Sequence, residues 1–322
     1  MLMGVPNSSR CEKFESYALS YRAMEATCRI DNRSSAKEKI ALFRSLFRGR
    51  PDVYARRFVS GKTGKAGYSP ACGNEWVRGV CEKPRVKCSD CTHRLLLPLI
   101  DEAIRWHLSG QDGVGREFVA GIYPMLTDET CFFLAADFDK ASWQEDARAF
   151  LDTCRFMGVP AVLERSRSGN GGHVWLFFAE AVPAALARKL GTYLLTETME
   201  RRPDLGLDSY DRLFPNQDTL PQGGFGNLIA LPLQKRPREQ GNSVFLDEGF
   251  SPYPDQWQFL SGLCKISRSE IERLVQDGQA KGNLLKVRPA MADEDGEGFW
   301  LSAEPWYRHA ENQVVGPIPE KL

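Results

Sequence analysis

Histidine is scarce in this sequence, with four in 322 residues, and no two flank a single apolar residue as a relaxase-like nicking centre would require. Excess charge of either sign is lacking as well: 42 Lys and Arg balance 42 Asp and Glu, for a formal net charge of zero. A uniformly basic coat for nucleic acid is thereby excluded, and any such partner must be held by a local patch. Long apolar runs are missing, since LLLPLI at 95–100 is far too short to span a bilayer. The first residues, MLMGVPNSSRCEKFESY, lack the basic start, apolar core and small-residue cleavage site of a secretory signal. The expectation is a cytoplasmic protein with no membrane partner. The turn GKTGKAG at 61–67 is not an ATP-binding P-loop, because the glycine needed five positions before Gly61 is Arg56.

What is present is length for a substantial core and an uneven distribution of charge. Between Arg33 and Lys65 stand ten Lys or Arg and only two acids, Glu38 and Asp52, whereas MADEDGEG at 291–298 is acidic. Residues 11–48 read as helical from SYALSYRAMEA and KEKIALFRSLFRG, with Gly49 and Pro51 stopping the second segment. VYARRFV reads as a strand with GKTGKAG as its turn, and HRLLLPLIDEAIRWHLSG as an amphipathic helix ending at Gly110. Strand-like runs follow in FVAGIYPML, CFFLAADFD, AVLERS, HVWLFFA, SYDRLF and NLIALPL. SWQEDARAFLDTCRFMG and PAALARKLGTYLLTETMERR lie between them as helices, and SRSEIERLVQDGQAKG follows as a last one. The pattern predicts an α+β fold in four parts: a helical segment at 1–50, a basic αβ module at 51–115, a core at 116–262, and a C-terminal helix with an acidic tail at 263–322.

Four of the nine cysteines, Cys72, Cys81, Cys88 and Cys91, fall within twenty residues, the last two in C-x2-C spacing. Two thiolates so spaced grip one ion from a tight turn, and four soft ligands suit tetrahedral zinc, so a structural zinc knuckle at 72–91 is expected. Disulfides are disfavoured in a cytoplasmic chain. Arg78, Lys83, Arg85, Lys87 and Arg94 surround the cluster and suit contact with a phosphate backbone. Cys11, Cys28, Cys131, Cys154 and Cys264 read as mostly buried, small apolar residues.

CFFLAADFDK carries Asp137 and Asp139 two positions apart on a strand. They therefore share a face, about 6.5–7 Å apart along the backbone, and suit convergence on two divalent cations. ERSRSGNGGHVWLFF follows, a glycine-rich turn leading into a strand headed by His173. Ser168, His173, Arg165 and Arg167 there are candidate donors to a triphosphate, whose phosphates glycine lets approach the backbone closely.

The order D-F-D, S-G-N-G-G-H-V-W and a later hydrophobic-Asp strand resembles the three motifs of the archaeo-eukaryotic primase superfamily. CFFLAADFD, SGNGGHVWLFF, YDRLFPNQD and GFGNLIALPLQ resemble in particular the primase domain of TOTE conflict systems and the related CRISPR-associated primase-polymerases, over roughly residues 35–260. The resemblance implies a catalytic core with an RRM-like antiparallel sheet fused to an αβ module. It makes Asp137 and Asp139 the first metal-binding pair and sets Ser168 and His173 on the phosphates of the incoming nucleotide. Asp208, Asp211 and Asp218 are candidates for the third carboxylate. Asp211 is preferred because it follows Tyr210 within SYDRLF, as in the family's third motif. Relatives often carry lysine in the turn before the histidine, where this chain has Asn170, itself a candidate nucleotide-binding residue beside Arg165, Ser168 and His173; Arg165, Arg167 and Lys235 are candidate replacements for that cation.

The implied activity is template-directed nucleotide joining from NTPs or dNTPs with two Mn²⁺ or Mg²⁺ ions. Its partners would be single-stranded DNA or RNA template and primer, and by resemblance a helicase or nuclease. Rival readings are a metal-dependent nuclease, since clustered carboxylates also serve phosphodiester hydrolysis, and a non-catalytic single-strand-binding module.

Overall fold

In the computed structural model, residues 29–204 and 206–281 are described. The expected helix in SYALSYRAMEA, Cys11, Cys28 and the acidic tail lie outside the described residues. In chain order the elements are α1 (Ala36–Leu46), β1 (Ala55–Val59), β2 (Ala66–Pro70), α2 (Asp101–Ser109), β3 (Ala120–Ile122), β4 (Thr130–Asp139), α3 (Trp143–Phe156), β5 (Val162–Arg165) and β6 (Gly171–Pro183). There follow α4 (Ala184–Arg201), β7 (Tyr210–Phe214), β8 (Ile229–Ala230), α5 (Lys235–Glu239), β9 (Val244–Leu246), α6 (Gln256–Ser261) and α7 (Arg268–Ala280). Helices α1 and α7 start at capping boxes, in which Ser35 pairs with Glu38 and Ser267 with Glu270.

Two antiparallel sheets organise the described residues. One has the order β2-β1-β3-β8 and the other β7-β4-β6-β5-β9. The first draws strands from both sides of the division expected at 115/116, because β3 and β8 complete the sheet begun by the basic β1–β2 hairpin. The second sheet is covered on one face by α3 and α4, where Phe138 meets Phe150 and Gly191 of α4 fits against Leu134 and Leu213. A Cβ at position 191 would lie 2.7 Å from Leu134, so only glycine lets α4 approach so closely. On the opposite face Phe47, just after α1, packs edge-on to Trp175 and Phe177 and stacks on Phe245.

Three expected elements are shorter than read. The run at 93–100 is not helical: α2 begins at Asp101, and Leu96 instead bridges to Cys72, tying the run to the cysteine segment. Pro98 lacks the N–H a continuing helix would need. FVAGIYPML and NLIALPL contribute only the short β3 and β8. Cys131 and Cys154 are buried as expected, whereas Cys264 is exposed. No helix among the described residues is long and apolar enough to cross a membrane.

Candidate active site

Register places the candidate residues in one row. Asp137 of β4 lies opposite His173 of β6 on one side and Arg212 of β7 on the other. His173 in turn lies opposite Glu164 of β5, and Glu164 opposite Phe245 of β9. Directly opposed residues share a face of a sheet, so Arg212, Asp137, His173, Glu164 and Phe245 cross all five strands in a line. His173 stands between two acids: its Nδ1 is 2.8 Å from Glu164 Oε2 and its Nε2 is 3.6 Å from Asp137 Oδ1. The same Glu164 oxygen accepts from Trp175 Nε1 at 3.1 Å. Glu164 is 2% exposed, and the Asp137 and His173 side chains are 14% exposed.

One pleat repeat further on, Asp139 lies opposite Gly171. A Cβ there would stand 2.7 Å from Asp139 Oδ1 and 2.7 Å from the Phe138 carbonyl, so glycine is what leaves room for the second carboxylate. Asp211 arrives by a different route. Pairing of β4 with β7 shifts between Asp137↔Arg212 and Phe138↔Tyr210, leaving Asp211 as the extra residue of a β-bulge. Its carboxylate pairs with Arg212 Nε at 2.5 Å. The lead-in to β7 is pinned from α3: buried Asp146 Oδ2 accepts from the Ser209 N–H at 3.0 Å and hydroxyl at 2.6 Å, while Ser209 O accepts the Asp139 N–H at 2.6 Å. Of the three candidates for the third carboxylate, Asp211 is the one that perturbs the dyad. Asp208 is exposed, and Asp218 pairs with Arg188.

The charges act on one another. Burial pushes Asp137 up to about 6 against the pull of His173, and Asp139 and Asp211 add repulsion. Asp139 is also raised, first by burial and then by Asp211. Burial alone would lower His173, but the charges of Glu164 and Asp137 outweigh it and hold the imidazole up at about 9. Three mutually repelling carboxylates offer hard oxygen donors and suit divalent cations.

The β5–β6 turn closes tightly, with Ser166 N–H donating to Gly171 O at 2.9 Å and the Asn170 N–H to Ser168 Oγ at 3.2 Å. Ser168 and Asn170 are exposed at its tip. Arg165 departs from the expectation: its guanidinium donates to Gly241 O at 3.1 Å and Phe250 O at 2.9 Å, fastening the loops around β9. Lys235 is paired with Glu239. Arg167 also has a fixed partner, donating to the buried Gln234 Oε1, but its other nitrogen faces an acid. Together with Arg57 of β1 and Arg236 of α5 it surrounds Glu117, at 3.6, 3.7 and 3.5 Å respectively. The Tyr68 hydroxyl is pushed up to about 12 by burial, and Arg167 follows just after β5, the strand that carries Glu164.

Residues 38–274 match the family described as "TOTE conflict system, Archaeo-Eukaryotic Primase domain". The chain belongs to this family. None of the curated proteins matches the chain. Among solved structures, the polymerase domain from Mycobacterium tuberculosis Ligase D in complex with DNA aligns over 77% of this chain and 88% of that one, at 14% identity and a TM-score of 0.36.

In this primase-family chain Cys72, Cys81, Cys88 and Cys91 line one small cavity of about 20 Å³, with His93 at its wall. The Leu95 N–H donates to Cys72 Sγ at 3.3 Å. Burial would lower the neighbouring Lys83 ammonium, but Cys88 and Glu75 outweigh it and raise the group. The donor set and the N–H···S bond suit a thiolate-bound ion. Among the described residues no group of three or more His, Cys, Asp or Glu is arranged to hold an ion as it stands. Sequence reasoning missed Glu164, Asp146, Arg57, Arg236 and Glu117. Two had a legible signal. Asp146 falls on the apolar stripe Trp143, Ala147, Phe150 of α3, and Glu164 is the one acid of β5, directly after two apolar residues.

Proposed function

We propose that the chain is a template-directed nucleotidyltransferase, a primase-polymerase joining NTPs or dNTPs on a single-stranded template. The observation that carries this reading is the grouping of Asp137, Asp139 and Asp211 beside His173, in a row that runs through Glu164 of β5, the strand that Arg167 of the arginine cluster follows. Carboxylates suit the cations that act at the reacting phosphorus, and guanidiniums suit the outer phosphates.

In the reaction a 3′-oxygen forms a bond to the α-phosphorus, the bond from that phosphorus to the bridging oxygen breaks, and pyrophosphate leaves with the pair of electrons. Asp137, Asp139 and Asp211 would hold two Mg²⁺ or Mn²⁺ ions, which when bound supply acidification of the 3′-hydroxyl and neutralisation of the leaving group. His173, cationic and fixed by Glu164, directs its second nitrogen to the same face as Asp137 and donates to a phosphate oxygen. Ser168 lines the approach, and Arg167 with Arg57 and Arg236 take the β- and γ-phosphates in place of the lysine that Asn170 replaces. The four cysteines would hold one structural zinc that ties the 72–96 segment to the β1–β2 sheet.

Primer extension on a single-stranded DNA template tests the reading, with NTPs or dNTPs and Mg²⁺ or Mn²⁺, beside a template-only reaction. Extension products mark a polymerase, and products without primer mark a primase. Phosphodiester cleavage without pyrophosphate release would replace this reading with the nuclease, and metal-independent binding without synthesis would replace it with the single-strand-binding module.

A further inference from the structure

Glu117 is held at 3.5 to 3.7 Å by three guanidiniums at once, and by none of them at the roughly 2.7–2.9 Å of a dedicated charge-assisted pair. The cluster thus carries three positive charges around one carboxylate. Its members come from separate parts of the chain: Arg57 from β1, Arg167 from the β5–β6 turn and Arg236 from α5.

The Arg57 side chain is 16% exposed and Arg167 31%, so two of the three charges sit where water screens them weakly. Burial and the neighbouring Arg57 charge both lower Arg167, while Glu117 raises it. Glu117 itself comes from the loop between α2 and β3, whose course is set by the Asp112 turn, a bridge to Gln111 and the Arg57 N–H donating to Val119 O at 2.9 Å, and not by the three guanidiniums.

We infer that Glu117 is a built-in competitor for the phosphate-binding arginines: its carboxylate occupies their centre until a triphosphate displaces it, and it returns as pyrophosphate leaves. This rests on the nucleotidyltransferase reading and adds a residue that sets how tightly polyphosphate is held. A carboxylate in the middle of the cluster repels or must vacate for any phosphate that enters, so its charge weakens substrate and product alike. Such a device keeps pyrophosphate from lingering on three arginines, at the cost of a higher KM. A purely structural Glu117, orienting the arginines for their ligand, requires the opposite sign, because its loss would splay them and weaken binding.

The test is calorimetric binding of a non-hydrolysable nucleoside triphosphate and inhibition of primer extension by inorganic pyrophosphate, for the full chain and for Glu117→Gln and Glu117→Ala. Both variants are expected to bind the triphosphate and pyrophosphate at least about tenfold more tightly, as loss of one close like charge implies. KM should fall, kcat should not rise, and the gain should shrink as salt is raised. Unchanged or weaker binding in both variants, with saturable binding in the unaltered chain, overturns the inference and leaves the nucleotidyltransferase reading standing. No saturable triphosphate binding in the unaltered chain overturns both.

Discussion

Asp137 and His173 face each other across β4 and β6, with His173 Nε2 3.6 Å from Asp137 Oδ1 and Glu164 gripping the far side of the same ring. The pairing binds the first and second motifs of the site into one electrostatic unit. An imidazolium between two acids offsets part of the repulsion that three neighbouring carboxylates create.

Replacing Asp137 or Asp139 with alanine is expected to lower primer extension by at least about a thousandfold, since several kcal/mol of transition-state stabilisation would be lost. Circular dichroism and the melting temperature should stay close to those of the unaltered chain. Extension within about tenfold of the original would remove the dyad from the chemistry.

Gly171→Ala puts a methyl group 2.7 Å from Asp139 Oδ1 and from a backbone carbonyl that cannot yield. The expected result is a loss of about 1–3 kcal/mol in stability, as for other overpacked sites, together with a larger fall in kcat than in substrate affinity. Chemical denaturation and steady-state kinetics measure the two separately.

Asp146 touches no candidate substrate position, yet it accepts both hydrogen bonds from Ser209 that anchor the approach to Asp211. Asp146→Ala strands the buried Ser209 groups and should destabilise the fold by about 1–3 kcal/mol. It should also reduce extension at saturating nucleotide, and Asp146→Asn should restore part of both. A variant with full activity would show that Asp211 needs no such anchor.

His107 supplies a pH effect remote from the carboxylates. It is fully buried, accepts the Ala120 N–H on Nδ1 and lies 2.8 Å from the Pro232 carbonyl through Nε2, and burial depresses it to about 4. In the unfolded chain it takes a proton near its ordinary value of about 6.5, so the unfolded state binds the extra proton first on acidification. Its contribution to stability is complete above about 6.5 and falls away as pH drops toward about 4, by up to about 3 kcal/mol. Urea midpoints measured across that range should show a shallower decline for His107→Gln than for the unaltered chain.

One zinc per chain is expected by native mass spectrometry, and Cys88→Ser or Cys91→Ser should release it. Removal by a chelator should lower the melting temperature without abolishing nucleotide binding, because the cysteine cavity is lined by residues separate from the carboxylate row. A chain that binds no zinc with all four cysteines intact would end the knuckle proposal.

The strands that carry the site were legible because β4 and β6 are long, apolar and interrupted by acids and glycines at informative spacings. Asp137, Asp139 and His173 follow from those strands alone. Glu164 was harder, since its importance comes from standing opposite His173, a register that local sequence does not state. Arg57, Arg167 and Arg236 meet only through tertiary folding, and their separation along the chain hides the cluster. The misreading of 93–100 as helix has a local cause: its leucines have helical spacing, but Pro98 and the pairing of Leu96 with Cys72 take the segment into an extended path.

The β-bulge at Asp211 sets one carboxylate of the candidate site apart from the other two. Asp137 and Asp139 lie on β4, which is paired on both sides, so their separation is as rigid as the sheet. Asp211 lies on the edge strand β7, displaced from the ladder, and its place is set by a local insertion. Ser209, held by Asp146 and accepting the Asp139 N–H, fastens that insertion to β4, so the third carboxylate is positioned by a side-chain anchor where the ladder lapses. The distance between the two aspartates of β4 is therefore fixed by strand geometry, whereas their distance to Asp211 depends on how the bulge is anchored.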